Sequence, residues 1–429
     1  MPKHRLKALA ATDVGRKRKN NQDFYIVDPS IGLFAVADGM GGYQGGEIAS
    51  RMALEGLQRH MKSRPDLFHT RDDRPLTQEL RKEARHFLDR AVQELSYQIF
   101  SLAKSKGDGF RMGTTICALV QLQQVAIVVH VGDSRCYLRR GEQVYQLTED
   151  HSLVHEHLKM GLITEEEAAT SRYKNVITRA VGMADRLQVD IFFVDMLPGD
   201  RFLLCSDGLH SYLDDESLDT FLQDQNEEEL PDKLIAFANE SGGSDNISVA
   251  LVSVGEEVTG LQLEDDKTAI DVGLDLLASN PLFSEVTYAD RLKIMPLTNM
   301  VQIEGGSFLI HEGDAPDNLY IVQTGSLAVY RGEELIAKLR VGDYVGEMGV
   351  FDGEPSSASV VALESTQCMV IGRTQLLNLL RQEPTIGFKI QNSLIRVLCR
   401  RLRSTSKDLA WTRREFRRNT QEFTLPEIP

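Results

Sequence analysis

Val36-Ala37-Asp38-Gly39-Met40-Gly41-Gly42-Tyr43-Gln44-Gly45-Gly46-Glu47 is the stretch on which the reading of this chain turns. An apolar run from Leu33 to Ala37 ends on one carboxylate, and five glycines then fall within eight residues. Glycine lets the backbone pass close to a ligand or adopt positive φ at little steric cost. From Glu47 the pattern becomes helical, with Ile48, Met52, Leu57 and Met61 mostly on one face. A strand thus delivers a carboxylate and a bare loop to the start of a helix. An Asp-Gly turn alone is common. What sets this one apart is that other aspartates repeat its setting along the chain.

Asp23 follows the basic turn Gly15-Arg16-Lys17-Arg18-Lys19-Asn20-Asn21-Gln22 and precedes strand-like Phe24 to Val27. Asp207 ends the apolar run Arg201 to Cys205, Asp245 precedes Ile247 to Val252, and Asp133 sits between Val125 to Val131 and Cys136 to Leu138. Each is a carboxylate at a strand edge beside glycine or a small polar residue. Hard divalent cations such as Mg²⁺ and Mn²⁺ take carboxylate, carbonyl and water oxygens. Two of them about 3.5–4 Å apart suit hydrolysis at phosphorus, and Arg18 offers bidentate, charge-assisted hydrogen bonds to a phosphate.

The remaining pattern is of strands joined by short turns, with a few long helices, which predicts antiparallel sheets covered by helices. Gln78 to Lys104 carries a packing stripe that includes Leu80, Ala84, Leu88, Leu95 and Ile99. His151 to Gly182 is polar, broken at Gly161, and reads as an insertion beside the sheet. The 429 residues suffice for two domains. A net charge of -15 argues against nucleic-acid and anionic-membrane partners. Five scattered cysteines suit a reducing compartment and core packing, without a disulfide framework or zinc site. No apolar stretch reaches the ~18 residues of a membrane span, so a cytoplasmic protein is expected.

Taken in order, Arg18-x-x-Asn21-x-Asp23, Asp38-Gly39-x-Gly41-Gly42, Gly113-Thr114-Thr115, Gly132-Asp133-Ser134-Arg135, Ser206-Asp207-Gly208 and Ser244-Asp245-Asn246 resemble the signatures of the metal-dependent PPM (type 2C) protein phosphatases, over residues 8 to 254. The resemblance implies a two-sheet antiparallel β-sandwich flanked by helices that removes phosphate from phosphoserine and phosphothreonine. It implies two Mn²⁺ or Mg²⁺ ions bridged by Asp38, with the Gly39 carbonyl on one of them. Asp23 acts through the shared water shell, and Asp207 and Asp245 complete the pair. Asp133 matches the acid of a third, weaker site, Arg18 the phosphate-binding arginine, and 151–182 the variable flap. Hydroxide held between the metals attacks phosphorus directly, so no phosphoenzyme is expected. Many eukaryotic relatives have a histidine where this chain has Met40, which cannot donate a proton; bacterial relatives share the pattern, and the general acid stays unassigned.

Beyond Val254 the sequence predicts a linker over 255–277, acidic and turn-rich from Gly255 to Lys267, between a phosphatase domain at 1–254 and a second domain at 278–429, with short helices at Ala269 to Leu277 and Tyr288 to Met295. Regular glycines then separate short alternating strands, which predicts a rolled β-structure. Thr374 to Trp411 reads as helical, and its Arg396, Arg400, Arg401, Arg403 and Lys407 as a solvated basic face.

Residues 278 to about 405 resemble the cyclic nucleotide-binding domain of the catabolite-activator type, through Ile310-x-Glu312-Gly313-Asp314-x-x-Asp317-x-Leu319-Tyr320 and Gly346-Glu347 to Ser359. The overall fold class is therefore α+β: a sandwich followed by a β-roll with helices. Glu347 matches the ribose-binding acid, but the phosphate-pairing arginine of the family falls on Ser356. Ser357 and Ser359, with the amides of the short helix, remain as neutral donors. Cyclic AMP and cyclic GMP are expected to bind weakly or not at all, leaving another small molecule or a protein contact for this regulatory domain. The main alternative is a catalytically weak signalling scaffold, which would call for a broken acidic set. A transcription factor would need a helix-turn-helix after the last helix, and too few residues remain. The expected partners are phosphoproteins made by a serine/threonine kinase.

Overall fold

The computed structural model describes residues 6–41, 45–68, 76–107, 109–173, 176–255, 269–315 and 317–421. The chain divides into two compact units, Met1–Gln262 and Leu263–Pro429.

The first unit is built on two five-stranded antiparallel sheets. One runs Leu6–Asp13, Ile247–Val254, Arg201–Cys205, Arg135–Arg140, Gln143–Gln146 in spatial order. The other runs Asp190–Asp195, Val125–Val131, Ile116–Leu122, Leu33–Ala37, Phe24–Asp28. Side chains alternate across a strand, and here both faces are apolar. Leu33, Ala35 and Ala37 join Ile127 and Val129 in a core shared with Leu54, Leu57 and Leu88 of the helices Gly45–Lys62 and Gln78–Ser105. On the other sheet Leu203, Val249 and Leu251 pack with Leu218 and Leu234 of the helices Asp215–Gln223 and Leu230–Glu240. The opposite faces, with Phe34, Val128, Phe202 and Val252 buried, meet between the sheets. The result is a helix–sheet–sheet–helix sandwich.

Gly39–Gly41, read as bare loop, pairs instead with Met112–Thr114 in a two-stranded ribbon. Glycine is needed there for close approach. A Cβ on Gly39 would lie 2.2 Å from the Gly46 carbonyl oxygen and 2.4 Å from that of Gln22. The segment 151–182 contains two short helices, Leu153–Lys159 and Glu165–Ala169, and is stitched to the sheet end by the bridge of Thr114 with Val181.

The second unit is a β-roll of two four-stranded antiparallel sheets. One holds Thr298–Ile303, Thr366–Gly372, Asn318–Thr324 and Tyr344–Val345, the other Phe308–Ile310, Ser359–Ala362, Leu327–Arg331 and Glu334–Leu339. The helices Ala269–Ser279, Tyr288–Ile294, Arg373–Gln382 and Pro384–Gln421 pack against it through Leu277, Ile294, Leu376, Ile386 and Ile390. The short helix expected at Ala269 to Leu277 is present as Ala269–Ser279, and its Leu276 and Leu277 are buried in the core of this unit; the acidic stretch 256–268 lies outside the described residues. The helical stretch expected over 374–411 forms two helices, Arg373–Gln382 and Pro384–Gln421, which part at Glu383 (φ −119°, ψ 77°). The cause is Pro384, because a residue preceding proline is driven from helical to extended backbone.

Candidate metal centre and active site

All five expected aspartates sit where a strand of the sandwich gives way to a turn, and all five meet at one end of it. Asp38 follows Leu33–Ala37, Asp23 precedes Phe24–Asp28, Asp207 opens a helical turn after Arg201–Cys205, Asp245 precedes Ile247–Val254, and Asp133 follows Val125–Val131. Asp38 is raised well above the usual carboxylate range, first by burial and then by the charges of Asp23, Asp207, Asp133 and Asp245. Burial likewise pushes Asp23 up to about 7, Asp133 to about 8 and Asp207 to about 6, each with a neighbouring aspartate adding to the shift. Oδ1 of Asp23, of Asp133 and of Asp207 is buried without a hydrogen-bond partner. Buried carboxylate oxygens are normally paired. Like charges this close are stable as anions only beside a cation. An all-oxygen set of this kind fits hard divalent ions.

The surrounding residues hold the aspartates in place. The Asp38 amide donates to Thr115 Oγ1 at 2.8 Å, and the Asp38 carbonyl accepts from the Thr115 amide at 2.9 Å. Ser206 Oγ donates to Asp23 Oδ2 at 2.8 Å and accepts from the Ser248 amide at 2.9 Å. His210, kept neutral by burial at a pKa of about 4, donates from Nε2 to the Asp133 carbonyl at 2.8 Å. Asn246 accepts from the Gln22 amide at 2.8 Å and donates to the carbonyls of Val14 and Asn20 at 2.9 and 3.0 Å. It thereby fastens the basic turn over the site. From that turn Arg18 Nη2 reaches Asp245 Oδ2 at 2.7 Å. Thr115, Ser206, His210 and Asn246 were not singled out from sequence. Three of the four are inside the quoted motifs, and only the aspartates beside them drew notice.

Among the described residues another set of ligand types comes together: His130, His151 and Asp190, with their ligand atoms within 4.8 Å of one another. The Gly132 amide donates to His151 Nδ1 at 3.0 Å, which puts the ring proton on Nε2, facing Asp190 Oδ2 at 3.3 Å. Arg179 adds a contact of 3.4 Å to Asp190 Oδ1. Both nitrogens of His151 are thus engaged, and the set serves as a clasp between 151–182 and the sheet.

The nucleotide-like candidates divide. Glu347, Ser356 and Ser357 line a cavity of about 960 Å³ in the second unit. Ser359 stands apart, with its hydroxyl accepting from the Glu312 amide at 2.9 Å. Ser356 spends its amide on the Asp314 carbonyl at 2.9 Å. Glu347, 4 % exposed, is bonded by Arg401, which also lies over the Tyr344 ring at 5.5 Å. Arg401, read as part of a solvated face, is therefore a cavity residue, and Arg396 pairs with Glu285.

The sequence profile of the protein phosphatase 2C family matches residues 14–240, and that of the cyclic nucleotide-binding domain residues 300–383. Protein phosphatase PhpP of Streptococcus pneumoniae is 40% identical over 250 residues, covering 57% of this chain and 96% of that protein. The serine/threonine phosphatase of S. agalactiae superposes with a TM-score of 0.51 at 35% identity, over 58% of this chain and all of that one. The PPM Ser-Thr phosphatase MsPP of Mycobacterium smegmatis, solved with cacodylate, gives 0.50 at 34% identity over 58% and 98% of the two chains. The chain belongs to the protein phosphatase 2C family. It is a protein serine/threonine phosphatase that carries a cyclic nucleotide-binding domain.

Proposed function

We propose that the aspartate cluster hydrolyses phosphoserine and phosphothreonine directly, without a phosphoenzyme, and that the second unit regulates this activity. The observation that carries the reading is the convergence of Asp23, Asp38, Asp133 and Asp207 with three buried oxygens unpartnered. Asp38, Asp207 and Asp245, with the Gly39 carbonyl and with Asp23 through water, are the groups that would hold two Mn²⁺ or Mg²⁺ ions, and Asp133 a third. Such ions supply Lewis-acid activation of water and neutralise phosphoryl charge.

The residues of the chain do the rest. Arg18 has five donors in a fixed fork and commits Nη2 to Asp245, so the others are free to hold a phosphate beside the aspartates. Asn246 and Thr115 fix the backbone on which Arg18 and Asp38 are carried. Among the described residues, the cysteines of the first unit are poorly suited to act as covalent nucleophiles. Cys117, Cys136 and Cys205 are fully buried in the sheets, and burial pushes the Cys117 and Cys205 thiols well up, away from thiolate. The substrates are phosphoproteins of a serine/threonine kinase, and the setting is the cytoplasm; among the described residues no helix is long and apolar enough to cross a membrane.

The test is phosphate release from a phosphothreonine peptide with Mn²⁺, before and after chelation, with acid quenching during turnover. Full dependence on added metal and no label on the protein are expected. Turnover that survives the chelator, or phosphate covalently trapped on the chain, would overturn the proposal.

A further inference from the structure

The cavity of the second unit is lined by five carboxylates, those of Asp314, Asp317, Glu347, Asp352 and Glu354, against the two arginines Arg331 and Arg401. Its floor already holds a cation. Arg401 comes from the long helix Pro384–Gln421, donates to the buried Glu347 carboxylate, and lays its guanidinium over Tyr344. A carboxylate beside an aromatic face is a recognition element for planar cations. Tyr344 is 6 % exposed, and its hydroxyl is buried without a partner. The Arg401 side chain keeps 51% of its surface exposed, so it caps the floor without being enclosed by it. Val329, Leu339 and Val360 give the cavity an apolar wall suited to a flat ring.

We propose that this cavity takes a small planar cation, an amidinium or guanidinium on an apolar body, which displaces Arg401 from Glu347 and Tyr344. Arg401 is the internal occupant of the site, and its side chain swings out to solvent when the ligand enters. A cyclic phosphate meets the opposite conditions: an excess of carboxylates, Ser356 where the family has arginine, and a Ser356 amide already given to Asp314. The inference is independent of the chemistry proposed for the first unit.

Titration calorimetry on the full chain at low salt tests it, with benzamidine as the planar cation and cyclic AMP and adenosine as the anionic and neutral contrasts. Benzamidine should bind, and the other two should give no saturable heat. Glu347→Gln should weaken benzamidine about 10-fold or more, since a charged hydrogen bond is lost. Arg401→Ala, a change at a half-exposed side chain that leaves the core untouched, should tighten benzamidine several-fold. Affinity rises when a competing internal occupant is removed. Benzamidine binding that ignores Glu347→Gln, or no binding even in Arg401→Ala, overturns the proposal. Cyclic AMP binding that Arg401→Ala weakens also overturns it, and would make Arg401 a substitute for the missing phosphate-pairing arginine.

Discussion

Asp23 and Asp133 in the sandwich are each 6 % exposed, and each leaves a carboxylate oxygen without a partner. In the β-roll Glu347 is buried to a similar degree, at 4 %, yet Arg401 sits on it. Both sites therefore bury anions, but Glu347 takes its counter-charge from an arginine of its own unit, while Asp23 and Asp133 each keep an oxygen without a partner. A buried carboxylate without a cation is costly, and it responds by taking up a proton or an ion. The difference separates a site built to be completed from outside from one that is complete until a competitor arrives. A third arrangement lies within the first unit: Asp200, 1 % exposed, is held by Arg140 through bonds of 2.9 and 2.7 Å. That pair has nothing left over for a ligand and reads as structure.

The largest effect expected from breaking this contrast is at Asp38. Asp38→Asn should lower kcat on a phosphopeptide by about 10³-fold or more, as when a group that stabilises transition-state charge is removed. Manganese binding followed by calorimetry should fall with it while the circular dichroism spectrum stays unchanged. Retained kcat would end the distinction between the two buried sets.

Removing the internal cation of the structural pair should act on stability instead. Arg140→Met leaves Asp200 buried without its arginine, so urea unfolding should register a loss of about 3–5 kcal/mol. A variant as stable as the parent chain would mean that Asp200 behaves like the clustered aspartates.

Arg18→Ala removes one charged partner from a site that should otherwise stay intact. A loss of about 10–150-fold in kcat/KM is expected, carried mainly by KM, with manganese affinity retained. A change in metal affinity without one in KM would place Arg18 in the metal site rather than on the substrate.

The smallest change concerns the buried thiols. Cys205→Ser puts a hydroxyl into an apolar sheet face and should lower stability by about 1–3 kcal/mol, with kcat unaltered under stabilising conditions. A selective loss of kcat would revive a nucleophilic cysteine.

Much of the site was legible because each of its parts is local. An aspartate beside glycine at a strand edge marks Asp38, Asp133 and Asp207, whereas Asp23 and Asp245, with no glycine neighbour, stand out only as members of the ordered motifs. The strand at Val125–Val131 and the helix beginning at Gln78 also follow from short-range periodicity alone. Where the reading failed, a contact distant in sequence had decided the matter. Gly39–Gly41 became a ribbon because Met112–Thr114 lies beside it.

The sequence by itself determined the order of the elements and the two-domain plan, because turn chemistry and hydrophobic period act over a few residues, and the acids were picked out by their place in the ordered family motifs. Only the tertiary structure decided which charges face one another. Arg18 meets Asp245 across 227 residues, Ser206 meets Asp23 across 183, and Arg401 meets Glu347 across 54. No local pattern encodes such pairings. They follow from which strands lie side by side, and burial then fixes whether a carboxylate finds its counter-charge in the chain or must take it from a ligand.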